Sequence, residues 1–247
     1  MTRISLELIP RTETALQDNL KYVREQHKEI TTINIPDLLR LKMRSWDGCK
    51  ISRPFFEHSI PHIRAIDFDL HNISPLVDIL LRNDINELLV IHGDIPQEMS
   101  KAIYQTHSVK LIHKIKERLK DIKVYATIDP YRSGIRQEFD YIEEKIDAGA
   151  DGFFTQPFFD FRLLEIYAEN LREQTLFWGI CPVITEESKN YWESRNRAYF
   201  PKDFRPDFEW NRDFGKKTID FCQKEGFNIY LMPIRIDLKD YLSGIFR

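Results

Sequence analysis

Eight short apolar or β-branched runs, spaced so that most are separated by stretches of helical periodicity, constrain this chain more than any other feature. They are ISLELI from residue 4, EITTINI from 29, PHIRAID from 61, ELLVIHG from 87, KVYATID from 123, GFFTQP from 152, LFWGICP from 176 and NIYLMPI from 228. Continuous runs of this length read as strands buried on both faces. Between them TALQDNLKYVREQH, ISPLVDILLRND, SVKLIHKIKERLK, EFDYIEEKIDAG and DFRLLEIYAENLRE place apolar residues three and four apart, as amphipathic helices do. Alternation of this kind implies parallel strands joined by right-handed crossovers. Eight such units in 247 residues predict a closed (β/α)8 TIM barrel, with an open doubly wound sheet as the alternative.

No linker or shift in composition divides the chain, so residues 1–247 read as one catalytic barrel domain. Two segments break the regular beat. LLRLKMRSWDGCKISRPFFEHS follows the second run, and an aromatic-rich insertion from Ile184 to Trp210 follows the seventh. The insertion is too long for an ordinary connection and reads either as a lid over the barrel mouth or as an added packing element.

Charge narrows the partners. The 36 basic and 39 acidic residues are spread along the chain for a net charge of -3, so no basic stripe marks a nucleic-acid surface. LIHKIKERLKDIK, the most basic stretch, has the spacing of a solvated helix face. Cys49, Cys181 and Cys222 form no CxxC pair, which fits a reducing compartment and neither a disulfide framework nor a zinc site. TRISLELIP has no signal-peptide pattern and no window has the ~20 apolar residues of a membrane span, so the expectation is a cytoplasmic protein with no membrane partner.

In a barrel the chemistry lies at the carboxyl ends of the strands, which makes the polar residues closing each run the candidates. These are Glu7, Asn34, His62 with Arg64, His92 with Asp94, Thr127 with Asp129, Gln156, Cys181 and Arg235. Glu7 lies between two leucines, where a carboxylate is costly unless paired or raised in pKa. It reads as a general acid or as half of an internal ion pair with Arg64. Asp94 follows a glycine in GDIP, a tight exit loop. Gln156 offers a donor and an acceptor, suited to a heterocycle with amide-like edges or to an internal hydrogen-bond set. His62 and His92 lack the spacing of a metal motif and read as satisfied histidines, so no metal is expected. Cys181 reads as a packing thiol. No lysine ends a run, which argues against a Schiff-base aldolase, and no GxGxxG or GxxxxGK[ST] cradle is present.

Taken together these pieces resemble the methylenetetrahydrofolate reductase family. SLELIPR is similar to the family's opening strand, PHIRAID to its Pro-His strand, VIHGDIP to its Gly-Asp strand end, and WGICPV to its seventh-strand segment. EKIDAGADGFFTQPFFD carries the most specific likeness. The resemblance implies a role in one-carbon metabolism and methionine biosynthesis, reducing 5,10-methylenetetrahydrofolate to 5-methyltetrahydrofolate with NADH or NADPH. It assigns Glu7 as the acid that protonates the bridging nitrogen, opens the five-membered ring and leaves an iminium that accepts hydride. It places Asp94 and Gln156 on the pterin, Asp94 also beside the flavin, and Arg235 on the aminobenzoyl-glutamate tail.

The same resemblance implies FAD, with Asn34, His62, His92, Gly93, Thr127 and Lys145 at its contacts. Here the chain departs from the family: His92 stands for an arginine, Asn34 for a threonine and Thr127 for a tyrosine. Glu144 also stands where an arginine is expected, putting negative charge near a diphosphate. Two routes for the hydride stay open, through FAD or directly from the nicotinamide. Rival readings on the same barrel are a folate-dependent one-carbon or methyl transferase and a non-catalytic folate-binding protein. Homo-oligomerisation is left open by the sequence.

Overall fold

All eight runs form strands in the computed structural model of the chain, which describes residues 2–95 and 102–246. They are β1 (Ile4–Glu7), β2 (Ile30–Ile35), β3 (His58–Arg64), β4 (Glu87–Ile91), β5 (Lys123–Ile128), β6 (Gly152–Pro157), β7 (Leu176–Ile180) and β8 (Asn228–Leu231). Each pairs in parallel with its sequence neighbours, and β1 pairs with β8 to close the barrel. The closed (β/α)8 TIM barrel is therefore the fold, and the open sheet is excluded.

Helices α1 (Glu13–Gln26), α2 (Ser45–Ser52), α3 (Ser74–Arg82), α4 (Ser108–Arg118), α5 (Ile135–Asp147), α6 (Phe161–Asn170), α7 (Glu186–Asn196), α8 (Phe208–Glu225) and α9 (Leu238–Phe246) follow in order. The five helices expected from periodicity are α1, α3, α4, α5 and α6. The four others were hidden because their buried faces are made of small or polar residues, or lie in short or terminal segments. The buried face of α2 includes Ser45, Gly48 and Ser52, and that of α8 includes Asn211, Gly215 and Thr218. Only Ser188 and Trp192 are buried on α7.

Strand alternation sorts the buried side chains into two cores. Outward residues such as Ile4, Leu6, Leu88, Val90, Ile229 and Leu231 pack beneath the helices in the larger core. Inward residues Ile60, Leu89, Tyr125, Phe154, Phe177 and Tyr230 fill the barrel lumen as a second core. The lumen core continues upward into the insertion through Phe159, Trp192 and Ala198. Below it, at the amino ends of the strands, Arg3, Thr32, His58, Glu87 and Tyr125 form a polar plug. Above it the lumen opens at the carboxyl ends.

Some boundaries differ from the expected runs. β3 begins at His58, ahead of PHIRAID, and Ala65–Asp67 close that run as a single 3-10 turn. β4 ends at Ile91, so His92, Gly93 and Asp94 lie in the exit loop. Pro96 of GDIP falls outside the described residues. Among the described residues no helix is long and apolar enough to cross a membrane.

Candidate active site

A cavity of about 1000 Å³ occupies the carboxyl-end mouth. Of the ten site residues expected from sequence, Glu7, His62, His92, Gly93, Asp94, Thr127 and Gln156 line it. Asn34, Lys145 and Arg235 do not. Inward Gly179 helps make the space: a Cβ there would lie 2.5 Å from the Thr155 carbonyl oxygen and 2.7 Å from Met232 Cε.

Glu7 ends β1 on its inward face, the same face as Arg3 and Ser5. Its carboxylate accepts a short hydrogen bond from the Tyr230 hydroxyl of neighbouring β8. Burial pushes the Glu7 carboxyl from 4.5 up to about 6, the Tyr230 hydrogen bond acting in the opposite direction. Burial and the adjacent Glu7 carboxylate both raise the Tyr230 phenol, so the tyrosine remains a donor. The alternative reading of Glu7, an ion pair with Arg64, is not realised. Arg64 donates instead to Asp67, 3.3 Å away, and to the backbone carbonyl of Asp94. Arg44 extends this network by bridging Asp67 at 2.9 Å and buried Asp37 at 2.6 Å. Among the described residues Glu7 is thus a carboxyl without a cationic partner, held near the neutral range by its surroundings.

His62 is buried on inward β3, and burial pushes its imidazole down to about 3, so it is neutral. Ser5 donates to the Asn34 side-chain oxygen at 2.6 Å, which orients the Asn34 amide nitrogen toward His62 Nε2 at 3.3 Å. Neutral His62 therefore accepts at Nε2. Asn34 is an orienting group with no exposed surface.

On the β4 side, Gly93 has φ 92, in the left-handed region, and a Cβ there would lie 3.1 Å from Arg64 Cβ. Glycine lets the loop turn tightly over Arg64 and carry Asp94 to the rim. The His92 and His107 rings stack with centroids 5.7 Å apart. Partial burial lowers the His92 imidazole, and the positive surroundings of His107 and Arg132 lower it further. Gln156, inward on β6, has no side-chain partner among the described residues, so its amide is available to a ligand and is not internally satisfied. Cys181 is buried, and burial with the nearby Glu7 carboxylate pushes its thiol up, as a packing residue requires.

The α5 side does not fit a flavin diphosphate. Lys145 is fully buried, donates to the Thr127 carbonyl at 2.6 Å and sits 3.9 Å from the Tyr141 ring centroid. Burial pushes its amine down to about 7. Glu144 is exposed on the helix and is absent from the cavity wall. The wall presents buried Glu138, whose carboxylate accepts from Arg132 and from the Asp129 backbone. Arg132, which lies on that wall, is thus already neutralised.

Arg235 lies past the end of β8 with φ 57 and turns to α7, its guanidinium 4.5 Å from the Tyr191 ring centroid and 3.8 Å from Glu187. The insertion supplies cavity residues that the strand-end reasoning did not reach, namely Arg195 and Arg197 at the end of α7. Tyr230 was likewise missed: it reads as one apolar position of NIYL until the β1–β8 pairing sets it beside Glu7. Trp192 packs on Phe159, as an added packing element would, while Arg195 and Arg197 line the mouth.

A family model described as methylenetetrahydrofolate reductase matches residues 48–210, more than half of the chain. The 5,10-methylenetetrahydrofolate reductase of Buchnera aphidicola subsp. Schizaphis graminum (strain Sg) is 24% identical over 147 residues, 58% of this chain and 50% of that protein. That of Pectobacterium carotovorum subsp. carotovorum is 27% identical over 101 residues, 40% of this chain and 34% of its own length. The matches span half or less of these curated relatives. Among solved structures, an uncharacterized protein from Clostridium thermocellum that binds two copies of 5-methyl-5,6,7,8-tetrahydrofolic acid superposes with TM-score 0.64. It covers 99% of this chain and 93% of that one at 12% identity. Oxaloacetate acetylhydrolase in complex with oxalate superposes with TM-score 0.62, covering 98% of this chain and 78% of that one at 12% identity. At such identities the solved structures speak for the barrel fold alone.

Proposed function

The chain belongs to the methylenetetrahydrofolate reductase family, and from that premise we propose that it reduces 5,10-methylenetetrahydrofolate to 5-methyltetrahydrofolate with hydride taken directly from NADH or NADPH. The observation that carries this reading is Glu7, a carboxyl raised to about 6 at the floor of a polar cavity, with no cation among the described residues to hold it ionised. About one molecule in ten then carries the proton at pH 7, a useful reserve for a general acid.

The residue roles follow from position. Protonated Glu7 gives its proton to the bridging nitrogen of the substrate, the carbon–nitrogen bond to that atom breaks, and the other ring nitrogen holds the one-carbon unit as an iminium. The nicotinamide co-substrate supplies the hydride that converts the iminium carbon to a methyl group. Tyr230 steadies the carboxylate that Glu7 becomes. Gln156 pairs with the amide-like edge of the pterin, and Asp94 accepts from its amino group at the rim. Neutral His62 borders the same space without adding charge. The direct route is chosen over FAD because Lys145 and Arg132 are engaged elsewhere. The cytoplasm is the natural setting, since Cys49, Cys181 and Cys222 are free and buried.

Glu7→Gln tests the assignment. Nicotinamide-dependent reduction of methylenetetrahydrofolate is expected to fall by 10²–10⁴-fold, a range typical of losing a general acid, with folate affinity retained. An unchanged rate removes Glu7 as the acid. Folate binding without nicotinamide oxidation by the unaltered protein points to the transferase or binding-protein readings. A purified protein that keeps a flavin absorbance spectrum after desalting overturns the direct route.

A further inference from the structure

Four arginines line the mouth, and they divide by partner. Arg64 is held by Asp67 and Arg132 by Glu138. Arg195 and Arg197 have neither an ion pair nor a side-chain hydrogen bond with any described residue. Both are exposed on the cavity side of the insertion, so among the described residues this part of the mouth carries positive charge that no carboxylate pairs.

Two further observations separate this pair from ordinary surface charge. Arg197 sits at the C-cap of α7 with φ 56 and ψ 25, a conformation that glycine adopts freely and that Gly226 supplies at the matching position of α8. A non-glycine residue there sits in a strained conformation. The segment is also anchored on both sides. Trp192 and Ala198 are buried in the lumen core, and the Ala198 backbone donates to the Trp192 carbonyl at 3.1 Å. The arginines therefore project from a fixed turn, which lowers the entropy lost when they engage a ligand.

We propose that Arg195 and Arg197 form an anion subsite for the glutamate carboxylates of the folate tail. This rests on the folate reading above. A substrate with its pterin between Glu7 and Gln156 must leave the barrel through the mouth, and its tail carries carboxylates matched in charge and geometry to guanidinium groups. Arg235 takes a different part. Packed on Tyr191 and near Glu187, it braces α7 from outside the cavity and acts on the tail only by positioning the helix. The other source of a compatible anion is the diphosphate of the nicotinamide co-substrate, and the test separates the two.

Arg195→Ala and Arg197→Gly are the variants to make, the second leaving the backbone turn unstrained. Dissociation constants are measured for tetrahydrofolate and for a tetrahydropterin lacking the aminobenzoyl-glutamate tail, alongside KM for NADH and NADPH. Each variant is expected to weaken tetrahydrofolate on the order of tenfold, as for loss of a hydrogen bond to a charged group. Affinity for the truncated pterin and the nicotinamide KM should stay unchanged, and the tetrahydrofolate difference should shrink with added salt. Equal weakening of both pterins means a structural role, and a rise confined to the nicotinamide KM means a phosphate subsite. Either result, or unchanged tetrahydrofolate binding, overturns the proposal. If the unaltered protein binds no reduced folate, the folate reading itself falls, an outcome distinct from a folate-binding protein whose variants bind normally.

Discussion

At the scale of single residues the decisive pair is Glu7 and Tyr230, which are 223 positions apart in the chain. Glu7 was legible because a carboxylate between leucines is anomalous in any strand. Tyr230 was not, because an aromatic in a buried run looks the same whether it faces helix or lumen. Arg64 misled for the opposite reason: it faces the correct end of the barrel, yet Asp67 lies three residues away and captures it. The Tyr230 hydrogen bond lowers a carboxyl that burial raises, so Tyr230→Phe should move the alkaline limb of the pH–rate profile upward from about 6. A limb that stays in place would mean that a different group titrates. The same carboxyl bears on stability. Its folded pKa exceeds its unfolded value, so its contribution is fully present below 4.5 and is lost as pH rises through about 6. Glu7→Gln should therefore gain up to about 2 kcal/mol relative to the unaltered protein between pH 4 and pH 8, measured by urea denaturation.

At the scale of elements, strand runs and the five periodic helices were legible, whereas α7 and α8 were read as an irregular insertion and its surroundings. The reason lies in what they bury. Small and polar residues such as Asn211, Gly215 and Thr218 allow α8 to approach the barrel closely but erase the apolar period. In α7 the packing is concentrated in Trp192, whose ring lies 5.6 Å from that of Phe159. Trp192→Ala removes that anchor at a cost of about 3–5 kcal/mol to the packing of the insertion. The expected readout is faster limited proteolysis between residues 184 and 210 than elsewhere. Uniform sensitivity along the chain would show that the insertion and barrel unfold together. Arg197→Gly should act in the opposite sense, raising stability by about 1 kcal/mol through relief of the left-handed turn. Thermal denaturation reads this gain directly, and a loss of stability would show that the Arg197 side chain supports the fold.

At the scale of the whole molecule, the barrel separates a face that reacts from a face that holds the strands together. The count of eight strand–helix units in 247 residues made closure legible, but the polar plug at the amino ends was hidden, since Arg3 and Glu87 fall outside any reading of strand carboxyl ends. The plug ties strands across the lumen. Arg3 donates to Glu87 at 2.8 Å and to Thr32 at 2.6 Å, Tyr125 donates to Glu87 at 2.9 Å, and His58 Nδ1 lies 2.7 Å from the same carboxylate. Burial alone would raise the Glu87 carboxyl, but Arg3 and Tyr125 outweigh it and hold the group below its ordinary value of 4.5. A depressed folded pKa gives stability that is present above the unfolded value and is lost as pH falls through the folded one. Glu87→Gln should thus destabilise the protein by about 3 kcal/mol at neutral pH, the lower end for breaking a buried pair, because Arg3 loses its counter-charge while remaining partly enclosed. The difference from the unaltered protein should narrow under acid conditions, where Glu87 itself becomes protonated. Denaturant titrations at neutral and acid pH measure both effects. Catalytic rate and folate affinity at a temperature where the variant stays folded should match those of the unaltered protein, because the lumen core of Leu89, Phe154 and Phe177 stands between the plug and Glu7. A fall in catalytic rate at full foldedness would show that strain at the amino ends reaches Glu7 through that aromatic stack, making the plug part of the site.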